Sequence, residues 1–546
     1  MGQFRVHVFV LFAFCLLLSS PLEANCSRMF SDTLRSKEYL KGVDLYNAGD
    51  YSKAVKNWKK AAKDGDASAQ CNLGVCYVLG NGVMQNYDKA LKWFRKSAVQ
   101  GNSVAQCNMG NCYHKGYGVR ADMAEAVKWY FLAAEQGNAM AMTNLGVCYK
   151  LGEGVEADSV KAFDYIFKAA EKGYPVAWNE VGDCFFYGIG TLQSSVEAFC
   201  WYNKAAVQGL DSAQYNLAMC YAYGDGVDQN DEHAFYWFLK SANKGNVKAQ
   251  YSLAESYYNG IGVVRDSVQA VKWLEKAAVG GHVDAQYLLA CCYYNGDGVE
   301  EDHYIAAEWY AKAAKNGSVD AMCQLAGCYY WGDGTFHDHK KAIGLYMKAA
   351  EAGNAEAMYC LAEYAVSDDS DESNMKISFE RYSKAAELGF VPAYNKVGNF
   401  HYMGLVVGVD YIEAARWYSK GAVAGDVDAQ YNLALCNYMG RGVAQNYKSA
   451  AEWCSKAAAA DHDNAQYLLG TMYYKGLGVN QSYGEAVMWY SKAAKSEHPA
   501  ALYDLGICYY YGHGVAMNRD KAIELWKLSA ELEFEDAIEA LKDLRK

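Results

Sequence analysis

Small and apolar residues return along this chain in two alternating rhythms. In the first, Ala69, Leu73, Cys76 and Gly80 fall at i, i+4, i+7 and i+11, one face of a helix that stops at the glycine. In the second, Ala90, Trp93, Ser97 and Ala98 trace the packed face of another helix. Between them, Gly80 and Gly82 supply the break, because glycine enters the left-handed region that ends a helix without a Cβ clash. The pattern predicts one helical hairpin.

The hairpin then repeats. The G-x-G pair at Gly80/Gly82 returns at 36-residue intervals as far as Gly512/Gly514, and 512 − 80 = 432 residues make twelve periods, hence thirteen cycles. The cycle at Asp368 lacks both glycines, and the one at Gly404 lacks the second. A fixed period of this length is the signature of stacked repeats. The predicted fold is all-α, an α-solenoid of about thirteen 36-residue helical hairpins with helical caps. Columns are numbered below by the first cycle, 67–102, so that column 78 holds residue 78 and every residue a multiple of 36 beyond it.

Two columns stay small where helices must approach. Column 69 is alanine in every cycle from Ala69 to Ala501, and column 98 is alanine from Ala98 to Ala530. Column 74 is only glycine or alanine, as in Gly74, Gly110, Ala218 and Ala434. Trp93, Trp129, Trp201, Trp237, Trp273, Trp309, Trp417, Trp453 and Trp489 are the expected large counterpart.

These residues resemble the Sel-one-like repeat family, whose pattern A-x-Y-x-L-G-x-x-Y-x-x-G-x-G-V-x-x-D-x-x-K-A-x-x-W-x-x-K-A-A-x-x-G is nearly literal at 429–440 and 465–478. The resemblance covers about residues 67 to 534 and implies a right-handed α-solenoid that binds proteins along its concave side. Residues 39–62 look like a tetratricopeptide hairpin with a shorter turn. The expected organisation is a signal peptide at 1–24, a tetratricopeptide-like cap at 25–66 and eight regular repeats at 67–354. Two degenerate repeats with a change of curvature follow at 355–426, then three regular repeats at 427–534 and a closing helix at 535–546.

Composition narrows the function classes. Hydrophobic residues make up 52% and charged ones 21% of the 546 residues, which excludes disorder. The formal charge is 51 − 63 = −12, so no basic footprint exists for a phosphate backbone, and nucleic acid is not an expected partner. Arg5, an apolar run at 8–18, and Ser19, Ser20 and Pro21 read as a secretory signal cleaved near Ala24. The run is too short to span a bilayer, so no membrane span is expected after cleavage. Export predicts a periplasmic or secreted protein in a bacterium, and a lumenal or secreted one in a eukaryote.

Eighteen cysteines would ordinarily suggest a disulfide framework in such a compartment. Their phase argues for packing. Cys76, Cys112, Cys148, Cys184, Cys220, Cys292, Cys328, Cys436 and Cys508 share the buried column 76, where Ser256 and Met472 also stand. Neighbours in that column lie one repeat apart, about 8–10 Å, beyond ordinary disulfide reach. Cys76 with Cys107 and Cys292 with Cys323 remain as pairing alternatives. The cysteine-rich subgroup of the resembled family pairs a cysteine ending the second helix with one in the next repeat. Here that first slot is always alanine, so neither its disulfide ladder nor its β-lactam activity carries over.

Catalytic motifs are thin. Each G-x-G follows a helix and lacks a third glycine, so it is not a phosphate loop. Ser241 with Lys244 and Ser373 with Lys376 have S-x-x-K spacing, but no K-T-G or S-D-N accompanies them. His337 and His339 flank Asp338 in one turn, and 367–374 is acidic without the alternating ligands of a calcium loop. No cofactor and no metal is expected.

What remains is a surface. Columns 71, 75 and 78 lie opposite the packed face of the first helix. Column 78 carries Tyr258, Tyr294, Tyr330, Tyr402, Tyr438, Tyr474 and Tyr510, with Trp331 and Tyr511 beside it, and column 71 adds tyrosines from Tyr215 to Tyr503. Stacked repeats make these into aromatic ladders, the side chains favoured at protein interfaces. The expected function is a non-enzymatic scaffold or adaptor that holds a protein or peptide, mainly from Tyr251 onward. The alternative, an exported enzyme acting on β-lactam or cell-wall substrates, rests on the resemblance alone.

Overall fold

The computed structural model describes residues 36–368 and 372–544. Among them are twenty-nine helices and no strand. The fold divides into two compact units, Met1–Ala285 and Gln286–Lys546, the boundary falling inside the helix Val283–Asn295. Within each unit successive helices pack on one another, from Lys37–Asn47 to Ser267–Val279 in the first and from His303–Lys315 to Glu535–Asp543 in the second, so that the hairpins stack in chain order as a solenoid. A hairpin of Lys37–Asn47 and Tyr51–Lys63 precedes the 36-residue hairpins, the first of which pairs Ala67–Leu79 with Tyr87–Ala98. The helix Glu535–Asp543 follows the last. The signal segment 1–24 lies outside the described residues.

Local chemistry fixes each hairpin. Asp66 and its counterparts cap the first helix by accepting from the N–H three residues on, and Asn86, Asp122 and Asp158 do the same for the second, each cap contributing about 1 kcal/mol. The first helix ends at Gly80, with φ 78° and its N–H on the Cys76 carbonyl. The second glycine has another cause. A Cβ on Gly82 would lie 2.4 Å from the carbonyl oxygen of Tyr51, at the start of the preceding second helix. Gly82 is where one repeat touches the backbone of the repeat before it. In the cycle that lacks this glycine, Val406 holds the left-handed angle instead, at φ 65°.

The small columns are buried as the period predicts, Ala69 and Ala105 completely. Their large counterpart is not the tryptophan column. A Cβ on Gly74, Gly110 or Gly182 would run into the rings of Phe94, Tyr130 or Tyr202, so column 94 fills the space that column 74 leaves. Trp93 and its counterparts sit on the shoulder of the second helix, mostly half-buried and, except at Trp129, covered by the lysine three residues on, as with Lys312 over Trp309 at 3.8 Å and Lys420 over Trp417 at 3.8 Å. In the aberrant ninth cycle, Arg381 replaces the tryptophan and donates to the Leu361 carbonyl at 3.0 Å. That cycle joins a helix running to Asp368 to a 16-residue helix opening at Glu372, and residues 369–371 of its acidic turn lie outside the described residues.

Column 76 is a packing column. All sixteen described cysteines are free thiols and thirteen of them are buried, including Cys76, Cys107, Cys292 and Cys323 from the two pairing alternatives. Burial pushes the Cys76, Cys148 and Cys508 thiols up to about 12.

Candidate interaction surface

The face of the first helices that neither second helices nor neighbouring repeats cover fully is built from columns 68, 71, 72, 75, 78 and 79. In the first cycle this face is closed, since Cys71, Val75 and Val78 are buried, so the first helix there is apolar nearly all round. It opens in later cycles.

The column-78 tyrosines are half-buried rather than freely exposed, because every ring from Tyr294 onward rests on the first residue of the following second helix. Tyr294 stacks on His303 at 4.6 Å, Tyr330 meets His339 edge-on at 5.0 Å, and Tyr402, Tyr438 and Tyr474 meet Tyr411, Tyr447 and Tyr483 at 5.0 to 5.4 Å. Tyr510 lies 5.0 Å from the Arg519 guanidinium, and Tyr258 is approached by Arg265 at 5.5 Å. Three hydroxyls also reach the middle residue of the next G-x-G turn. Tyr294 donates to Asp333 at 2.8 Å, Tyr402 accepts from Arg441, and Tyr474 bonds His513 at 2.8 Å. His303 completes the first of these by bonding Asp333, which raises the His303 pKa. Column 78 therefore latches repeats together as well as lining a face. Tyr294 is the most open of these rings, at 36% exposure.

The exposed aromatic column is the next one, just before the first glycine. Trp331 is 72% exposed, Tyr223 71% and Tyr511 60%, and Tyr187, Met403 and Met439 continue the pattern. Among the predicted residues Trp331 and Tyr511 belong to it. The sequence signal was available: a large apolar residue directly before a helix-ending glycine has no second helix to pack on.

A second arrangement had no anticipated counterpart. Column 94 reaches through the hairpin to column 75 on the open face. The hydroxyl of Tyr130 donates to Asn111 at 2.8 Å, that of Tyr202 to Asp183 at 2.7 Å, that of Tyr418 to Asn399 at 2.7 Å and that of Tyr490 to Thr471 at 3.2 Å. Where column 94 is apolar, column 75 is usually apolar too, as in Phe94 with Val75, Ile166 with Val147 and Trp526 with Ile507. In the first unit, Lys150 and Glu180 form a buried ion pair at 2.6 Å beside Asp183, which also takes an amide bond from Asn216. Burial, and then the charge of Glu180, push the Asp183 carboxyl up to about 7.

Ser241 with Lys244, and the turn at 337–339, are occupied in structural roles. Ser241 is buried and donates to the Asp211 carbonyl at 2.7 Å, while Lys244 bonds the Gly209 carbonyl. Asp338 caps its helix, and the His337 ring is turned to the Tyr330 carbonyl at 3.1 Å. Among the described residues no group of three or more His, Cys, Asp or Glu is placed to hold a metal ion, and no helix is long and apolar enough to cross a membrane.

Comparison with known proteins turns this geometry into a family. The Sel1 repeat profile matches thirteen segments, 36–66, eight consecutive ones from 67–102 to 319–354 with a one-residue gap at 175, and four from 391–426 to 499–534. The chain belongs to the Sel1 repeat family. The Sel1 profile takes 36–66 as a repeat and passes over 355–390, the cycle without the G-x-G pair. Among solved structures, a Sel1-like repeat protein of uropathogenic Escherichia coli, c5321, described as a protective antigen, is 30% identical with a TM-score of 0.53 over 89% of this chain and 92% of that one. A Sel1 repeat protein from Oxalobacter formigenes is 33% identical, with a TM-score of 0.44 over 61% and 95%. No curated protein matches the chain. The Sel1 repeat solenoid is a scaffold for protein–protein interaction.

Proposed function

We propose that this protein is a non-enzymatic scaffold or adaptor, working outside the cytosol, that holds a protein or peptide on the open face of its first helices. The observation that carries the reading is the exposed aromatic column beside the column-78 tyrosines, since large rings left open on a rigid helix face bind at little entropic cost. Tyr294, Tyr330, Trp331, Tyr402, Tyr438, Tyr474 and Tyr510 line this face in the second unit, and Tyr258 lines it in the first. The likeness to a protective antigen and the signal-like segment at 1–24 both favour an exported compartment.

The test is capture of partners from the native compartment with the full chain and with Trp331→Ala plus Tyr511→Ala. These side chains are exposed, so the variant should keep its melting temperature while binding weakens by about 1–2 kcal/mol per anchor. Unchanged capture by a folded variant would refute the assignment of the face. Edman sequencing of the mature chain checks export, and an uncleaved N terminus in the cytosol would refute it.

A further inference from the structure

The open face of the second unit is not neutral. On columns 68, 72 and 75 it carries Asp320, Glu356, Glu363, Asp428, Asp504 and Asp536 against one lysine, Lys396, with Lys475 beside them on column 79. Lys396 is already taken, paired with Glu363 at 2.8 Å. Among the described residues the other five carboxylates have no lysine or arginine within ion-pair distance. Instead three of them take a neutral donor or a ring nitrogen: Asn354 on Asp320 at 2.9 Å, Gln324 on Glu356 at 3.2 Å, and His462 within 3.5 Å of Asp428. Between them run the half-buried rings of Tyr359, Tyr431, Tyr467 and Tyr503, one or two repeats apart. Carboxylates and aromatic faces are the two partners an ammonium or guanidinium group seeks.

We infer that this face takes an extended peptide segment bearing lysine or arginine at about every third residue. The inference rests on the scaffold reading above and adds the chemistry of the partner. The spacing follows from the repeat: successive first helices stand about 8–10 Å apart, and three residues of extended chain span about 10 Å. One basic side chain then falls opposite each repeat. Burial raises the pKa of the Asp504 carboxyl, and the Tyr467 hydroxyl and the more distant charge of Lys475 offset it only in part. An arriving cation adds charge there without displacing a lysine or arginine from an ion pair.

A dodecapeptide of Lys-Ser-Ser repeated four times, with its Gln-Ser-Ser counterpart, tests the inference by fluorescence anisotropy against the full chain. Because the protein is acidic throughout, the control is positional. One variant carries Asp428→Asn, Asp504→Asn and Asp536→Asn on the open face; the other carries Glu308→Gln, Glu452→Gln and Glu524→Gln on the exposed sides of the second helices. The lysine peptide should bind more tightly than the glutamine peptide. The open-face variant should lose at least about tenfold in affinity and the second-helix variant less than about twofold. Equal losses in the two variants would mean general polyelectrolyte attraction and overturn the inference. So would equal binding of the two peptides, or no binding of either. In that case capture of a native partner that Trp331→Ala and Tyr511→Ala weaken would still uphold the scaffold reading by itself.

Discussion

Replacing Gly506 by alanine should destabilise the last hairpin, although the same change stabilises an ordinary helix. Gly506 lies inside the helix Pro499–Tyr511, where alanine would by propensity add about 0.5–1 kcal/mol. A Cβ there would stand 2.4 Å from Nε1 and 2.6 Å from Cδ1 of Trp526, an indole that is buried and held by its N–H on the Tyr503 carbonyl at 3.0 Å. Overpacking of this kind costs about 1–3 kcal/mol, so the clash outweighs the propensity and the net loss is about 1–2 kcal/mol. A tyrosine in column 94 does tolerate alanine opposite it, as Tyr310 does with Ala290 and Tyr346 with Ala326, but no indole in this chain does. The double variant Gly506→Ala with Trp526→Tyr should therefore recover much of the loss. The assay is native-state hydrogen exchange read on peptides from 499–531, because an end repeat opens on its own and a global melt would dilute the effect. Gly344→Ala is the matched control: nothing lies within 4 Å of its Cβ, and it should gain about 0.5–1 kcal/mol. If Gly506→Ala is as protected as the parent chain, or if Trp526→Tyr fails to rescue it, column 94 is not the partner of column 74.

Val406→Gly should stabilise the second unit by about 0.5–1 kcal/mol in urea melts, because a β-branched residue at φ 65° carries more strain than glycine loses in entropy; a loss would mean the valine side chain packs. Thiol labelling of the native protein should modify exposed Cys200 first and leave buried, high-pKa thiols such as Cys112 and Cys184 for denaturant, and fast labelling of column 76 would contradict its burial. Burial lowers the pKa of His282 and His498, and takes that of His114 to about 4. The unfolded chain takes these protons near pH 6.5 and the fold only lower, so their contribution is complete above about pH 6.5 and lost as pH falls toward about 4. His498 caps its helix by accepting from the Ala501 N–H, so His498→Asn, which caps at any pH, should flatten part of that loss between pH 7.5 and 5.

The hairpins, their order and the buried alanine and cysteine columns were legible in the sequence because each is a strict consequence of a 36-residue period. Which large side chain meets the small ones was not. Columns 93 and 94 are adjacent and only about 100° apart on the helix, and tryptophan drew attention by its size. The lysine three residues after every column-93 tryptophan but Trp129 carries the sign, since a lysine stem covers an outward ring and not a core one. Likewise the open rings stand one column later than the period alone predicts. Tyr294 looked like surface from its place in the period, yet Asp333 and His303, more distant in sequence, hold it down. Periodicity assigns a face to a residue; the contacts made by the next repeat decide how much of that face is left.

The hydroxyls that cross each hairpin tie two kinds of selection together. Asn111, Asp183, Asn399 and Thr471 stand where a partner would touch, and each is also the acceptor for a ring packed behind it. A change of specificity at any of them strands a hydroxyl in the interior, so the contact residue and the ring are free to drift only as a pair. New binding preferences in this chain should accumulate in whole-repeat steps, by borrowing or duplicating a hairpin in which both members already agree.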